Sequence, residues 1–247
     1  MAVAPLLLVI ADRCGIFNGL APGLRIGLIA LACLPTTITS GVTFTRVSGG
    51  DEALAVFNAT LGSLLGVALS PLLVLAFTGL SADLDRGALL WALTLQTAVP
   101  LALGQNIRRA ILRTSPVSWS GLGILSNLLL LALLWQVFST TVASGVLRGA
   151  HLPLALLLVT VIFVGLFAIA SWIAGWRWFA LDRPQRIAVV ISASQKSAAL
   201  GVPLLTVMAT ARPDIGLLCL PVVLYHVLQL LVAGAMVPVW RRWAGLS

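Results

Sequence analysis

Charge is scarce in this chain. Its 247 residues hold seven acidic and fifteen basic side chains, 9% of the sequence, where a soluble domain carries about a quarter. With 60% hydrophobic residues and a mean hydropathy of +1.09, the composition excludes a soluble globule and defines an all-α polytopic membrane protein. The few carboxylates all fall in or beside predicted loops. There is no HExxH, no pair of intramembrane aspartates and no convincing Ser/His couple, so an enzyme is not expected. The three cysteines, Cys14, Cys33 and Cys219, lack CxxC or metal spacing, and the last two sit in apolar runs as packing residues. Lysine occurs once, as Lys196; every other basic side chain of permanent charge is arginine.

What is present is apolar sequence in eight segments, at 1–11, 24–45, 53–80, 87–107, 117–147, 152–180, 187–211 and 215–240. The first is about half of the roughly 20 residues that a span needs. It has no basic n-region or cleavage site, so the chain reads as starting partway through a helix rather than with a signal peptide. The net charge of +8 does not imply nucleic acid, because the arginines lie between apolar segments; membrane lipid is their partner. Arg108, Arg109 and Arg113, then Arg177, Arg183 and Arg186, then Arg241 and Arg242 fall on one side, against Arg148 and Arg212 on the other. That asymmetry predicts a multi-pass protein of a bacterial cytoplasmic (inner) membrane with its C-terminus in the cytoplasm. Arg13 and Arg25 dissent from it.

Two spans are interrupted by polar residues, which a membrane helix tolerates only where protein or a cavity satisfies the freed backbone. In the second segment IGLIALACL gives way to PTTITSG, with Pro35, Thr36, Thr37, Thr39, Ser40 and Gly41. In the seventh, Ser192, Ser194, Gln195, Lys196 and Ser197 precede Gly201 and Pro203. Paired interruptions in two halves point to an inverted-repeat transporter with its site near the midplane. The alternative is bent, packed helices. If the seventh segment stays helical, Ser192, Gln195, Lys196 and Ala199 share one face. A charge at bilayer depth costs about 2.5–3.5 kcal/mol on insertion scales, which makes Lys196 the first functional candidate.

Nearby, Asn58 and Thr60 are polar at bilayer depth, and Gly62 and Gly66 form a GxxxG suited to close helix approach. Tyr225, His226 and Gln229 on the last span read as an interhelical hydrogen-bond network before a proton relay. His151 falls in a loop. Trp91, Trp135, Trp172, Trp176, Trp178, Trp240 and Trp243 mostly mark span ends as an interfacial belt. Pro71, Pro100, Pro221 and Pro238 kink or end helices.

The run LPTTITSGVTFTRVSGGDEALAVFNATLGSLLGVALSPLL, followed by VPLALGQNIRR, SQKSAALGVPLL and LPVVLYHVLQLLV, resembles the bile acid:sodium symporter superfamily, and within it the SBF-like branch. That branch includes bacterial cotransporter-like proteins and a member of vertebrate solute carrier family 10 tied to calcium regulation. The resemblance implies ten helices in two inverted five-helix repeats, a core and a panel domain, two crossing discontinuous helices, and alternating access. The chain is then a single transmembrane domain. Residues 1–80 are the remainder of the N-terminal repeat, lacking about two helices, and 87–247 form the C-terminal five-helix repeat. The absent part starts upstream, comes from a second copy or another chain completing the panel, or leaves an inactive paralogue or a regulatory membrane protein of calcium or ion homeostasis.

Departures from that pattern matter. Sodium-coupled members place Asn at the position of Gly41, Glu at Ile191 and Asn at Lys196. Replacing a carboxylate by an ammonium disfavours a hard cation, which takes oxygen ligands. No cofactor or metal is therefore expected, and sodium is a doubtful coupling ion. Lys196 either supplies the positive charge itself or pins the broken helices through their carbonyls. The substrate expected is a small organic anion, drawn by helix N-termini and Lys196. The residues expected to contact substrate or ion are Thr36, Thr37, Thr39, Ser40, Asn58, Ser194, Gln195, Lys196 and Ser197.

Overall fold

The computed structural model describes residues 3–79, 151–209, 212 and 214–246, with isolated positions between 91 and 145. The segments predicted at 87–107 and 117–147 lie mostly outside the described residues, as do Pro100, Arg108, Arg113 and Arg148. No strand occurs among the described residues. The helices are α1 (Val3–Arg13), α2 (Pro22–Cys33), α3 (Thr39–Val47), α4 (Glu52–Thr78), α5 (His151–Gly175), α6 (Arg183–Ser194), α7 (Ala198–Met208) and α8 (Ile215–Ala244). His151, read as a loop residue, is the first residue of α5.

Local chemistry sets the interruptions. Pro22 opens α2 within its first turn, where a missing N–H costs nothing. Leu34 then turns extended (φ −74°, ψ 147°) because the following Pro35 disfavours helical geometry in the residue before it. In the second interruption Gln195 leaves the helix at φ −94°, ψ 141°, and Ser197 caps the new start by accepting from the Leu200 N–H at 3.4 Å. The expected common face of Ser192, Gln195, Lys196 and Ala199 therefore does not form: the helix stops at Ser194, so Gln195 and Lys196 are buried while Ala199 is exposed. Pro71, Pro203, Pro221 and Pro238 all lie inside helices rather than ending them.

The two broken helices run antiparallel and cross. α2 meets α7 at one end of the crossing, and α3 meets α6 at the other. α4 packs along α2, α3 and α6, while α8 packs along α2, α7, α3 and α6, so these two long helices sandwich the crossing. α5 covers α6 and α8, and α1 lies on α2. Among the described residues, the stretches Glu52–Thr78, Leu152–Gly175, Arg183–Met208 and Ile215–Ala244 are long and apolar enough to cross a membrane, the third being interrupted at 195–197.

Small residues let these backbones approach. A Cβ on Gly27 of α2 would run into the Leu218 carbonyl of α8, and one on Gly66 of α4 would strike the Pro35 ring. The predicted GxxxG thus seats α4 against the first break, with Gly62 facing the Thr36 methyl. Trp240, assigned to the interfacial belt, is buried and stacks on Phe167 at a centroid distance of 6.1 Å. Where α2 and α8 begin, Arg25 pairs with Asp12 and Arg212 grips Asp214 through two 2.8 Å hydrogen bonds. The hydrogen bonds from Arg212 hold the Asp214 carboxyl below its usual range. Gly27→Val is expected to cost about 1–3 kcal/mol by overpacking, measured as a lowered unfolding midpoint in detergent. Gly165→Ala, where a Cβ meets open space, is the control that should leave the midpoint in place.

Candidate functional site

The crossing solves a backbone problem. A helix that stops in the bilayer leaves its last carbonyls without partners, and each unmet group there costs several kcal/mol. At the end of α2 every carbonyl from Leu31 to Pro35 finds a donor. Leu31 accepts from the Leu34 N–H at 3.2 Å, and Pro35 accepts from the Ser197 N–H of the second break at 2.8 Å. Cys33 accepts from the Ser70 hydroxyl of α4 at 2.8 Å. The two that remain, Ala32 and Leu34, both accept from the Lys196 Nζ, at 3.1 and 2.9 Å. Lys196 is 8% exposed, and its ammonium sits at the negative end of the α2 dipole, where a cation is favoured.

The second break is held from α8. The Gln229 side-chain amide pairs with the Lys196 backbone in both directions: Lys196 N–H donates to Oε1 at 2.7 Å, and Nε2 donates to the Lys196 carbonyl at 2.9 Å. Gln229 Nε2 also lies 3.0 Å from His226 Nδ1. The Tyr225 hydroxyl donates to the Ser194 carbonyl at 2.5 Å. Tyr225 and Gln229 therefore each bond the second break directly, His226 joins it only through Gln229, and Tyr225 and Gln229 are fully buried.

Between the breaks lies a second polar group. Ser40 Oγ is 3.0 Å from Gln195 Oε1, to which it donates, and 3.5 Å from Thr37 Oγ1. Thr36 Oγ1 is buried and has no hydrogen-bond partner. α3 starts without a side-chain cap, so its first N–H groups are open to a partner.

The geometry separates the predicted residues. Thr36, Thr37, Ser40, Gln195 and Lys196 are drawn to the crossing. Ser194 Oγ instead bonds back to the Val190 carbonyl of its own helix at 2.7 Å, and Ser197 caps α7. Thr39 is exposed at the start of α3, and Asn58 is half-buried one turn before Gly62, outside the hydrogen bonds of the crossing. Sequence reasoning missed Ser70, whose signal was a lone hydroxyl beside Pro71 in an apolar run. It also missed the capping box of Asp182 and Gln185 that starts α6, legible as an acid three residues before a glutamine.

Two antiparallel interrupted spans, joined at their breaks and carrying a buried ammonium, define an all-helical polytopic membrane protein built on broken spans. The model of the SBF-like CPA transporter family matches residues 1–242, and the chain belongs to that family. It is 29% identical over 219 residues to sodium/bile acid cotransporter 7 of Rattus norvegicus, covering 88% of this chain and 64% of that protein. The protein of that name in Danio rerio is 29% identical over 220 residues, covering 88% and 65%. An uncharacterized protein of Pseudomonas aeruginosa is 34% identical over 231 residues, covering 90% and 67%. The chain thus spans about 64% of the length of the vertebrate relatives it matches. The resemblance read from the broken-span motifs is borne out.

Gln229→Leu is expected to orphan the Lys196 N–H and carbonyl, at about 1–3 kcal/mol each. Ser70→Ala orphans only the Cys33 carbonyl. Unfolding of the purified variants in one detergent should rank wild type above Ser70→Ala above Gln229→Leu; equal midpoints for Gln229→Leu and wild type would refute the role of the clamp.

Proposed function

We propose that this protein carries a small organic anion across the bacterial cytoplasmic membrane by alternating access, without coupling to sodium. The observation that carries this reading is the Lys196 ammonium, bonded to the Ala32 and Leu34 carbonyls. Those are oxygens of the kind that a hard cation would need, and the ammonium already engages them. Among the described residues no carboxylate is hydrogen-bonded to Lys196, whose charge faces the carbonyl end of α2.

An anion is favoured by that residual charge and by the uncapped start of α3. The unpartnered Thr36 hydroxyl and the Ser40–Gln195 pair supply hydrogen-bonding groups for its polar atoms. Sodium and bile acid, which the names of the vertebrate relatives state, are not carried to this chain. Lys196 also holds the breaks together, so carrier and pin are one role here.

Uptake of labelled organic anions into reconstituted vesicles tests the reading. Saturable uptake is expected, unchanged when sodium is replaced by choline and lowered at least tenfold in Lys196→Ala. Size-exclusion profiles and the unfolding midpoint report whether that variant folds. Ser40→Ala, which leaves the Lys196 bonds intact, should raise KM several-fold while costing about 1–3 kcal/mol for the Gln195 Oε1 left unpaired. Uptake that requires sodium would overturn the proposal, and no uptake by folded protein would favour a regulatory membrane protein. A cytoplasmic C-terminus is part of this reading, supported by the arginines near the end of α8, so a C-terminal cysteine tag should resist a membrane-impermeant maleimide in intact cells.

A further inference from the structure

At the membrane end where α5 and α8 finish, the chain presents arginine and tryptophan together. α8 has 30 residues, about 45 Å at 1.5 Å per residue, against a hydrocarbon core of about 30 Å. Its last turn, with Arg241, Arg242 and Trp243, therefore reaches headgroup depth. α5 ends at Gly175 and is followed by the short turn Arg177–Phe179. Trp178 in that turn is 95% exposed, and Phe179 and Trp243 are also exposed. The start of α6, a few residues past that turn, is tied to the end of α8, since Arg183 donates to the Trp243 carbonyl at 3.0 Å and lies 5.8 Å over its ring.

The described acids at this end are already engaged. Asp182 and Asp51 cap α6 and α4 by accepting from Gln185 and Leu54 N–H groups, and Glu52 faces Arg46 at 3.9 Å. Arg186 donates to the Leu181 carbonyl. Arg177, Arg241 and Arg242 are exposed and form no ion pair among the described residues. Three uncompensated guanidiniums at headgroup depth, flanked by apolar rings that sit at that depth, match a phosphate ester carried on acyl chains.

We propose that this end of the molecule is a binding site for an anionic phospholipid. Arg177, Arg241 and Arg242 contact the phosphate, and Trp178 lies beside the glycerol and upper acyl region. The site lies at the α5 and α8 termini and not in the crossing, so it stands apart from the transport reading.

The test uses the full chain in nanodiscs doped with brominated phosphatidylglycerol or brominated phosphatidylcholine, reading tryptophan quenching. Wild type should be quenched several-fold more steeply by the anionic lipid. Trp178→Phe should remove much of that difference, and the combined Arg177→Gln, Arg241→Gln and Arg242→Gln variant should remove the preference while keeping the wild-type unfolding midpoint. Soluble glycerol phosphate at millimolar concentration should not compete. Equal quenching by the two lipids, a preference that survives the triple variant, or displacement by glycerol phosphate would each overturn the assignment.

Discussion

Inside a bilayer a backbone carbonyl has no water to turn to, and that constraint governs the centre of this molecule. α2 stops halfway because Pro35 cannot continue it, and the carbonyls left behind recruit three donors: Ser70 of α4 and, from the second break, the Ser197 N–H and the Lys196 ammonium. The crossing is thus held by mutual satisfaction of broken ends. Removing any donor leaves a buried acceptor, and the loss is large because nothing nearby can replace it.

The flanking helices have different parts. α4 contributes closeness, through glycines that admit the Pro35 ring and the Thr36 methyl. α8 contributes hydrogen bonds, through Tyr225 and Gln229. Gln229 treats the Lys196 peptide as a neighbouring strand would, donating and accepting at once, so the residue bearing the charge is fixed by its backbone as well as by its side chain.

The broken spans were legible because proline, glycine and several hydroxyls cluster within a few residues at each break, and the lone lysine identified its own importance. The family followed from the same residues. What the linear pattern hid was partnership across long separations. Lys196 bonds to carbonyls of Ala32 and Leu34, groups that every residue possesses and no sequence advertises. The helical face expected for Ser192, Gln195, Lys196 and Ala199 failed because helical spacing presupposes continuity, which Gln195 ends. Ser194 and Ser197 looked like ligands by composition, yet hydroxyls in helices compete for local backbone groups, and both do so here. Trp240 shows the converse: a tryptophan near a span end is drawn inward when an aromatic partner, Phe167, is within reach.

Lys196 lies midway along the interrupted span from Arg183 to Met208. Its side chain is tethered at the ammonium, and its backbone is tethered at both peptide groups. A lysine near a helix end can bend towards water, but this one has no such freedom. Any movement of the crossing along the membrane normal is therefore a movement of charge through the electric field. One elementary charge carried across the full potential is worth about 2.3 kcal/mol per 100 mV. A resting membrane voltage thus exerts a force on this joint, independent of any other ion.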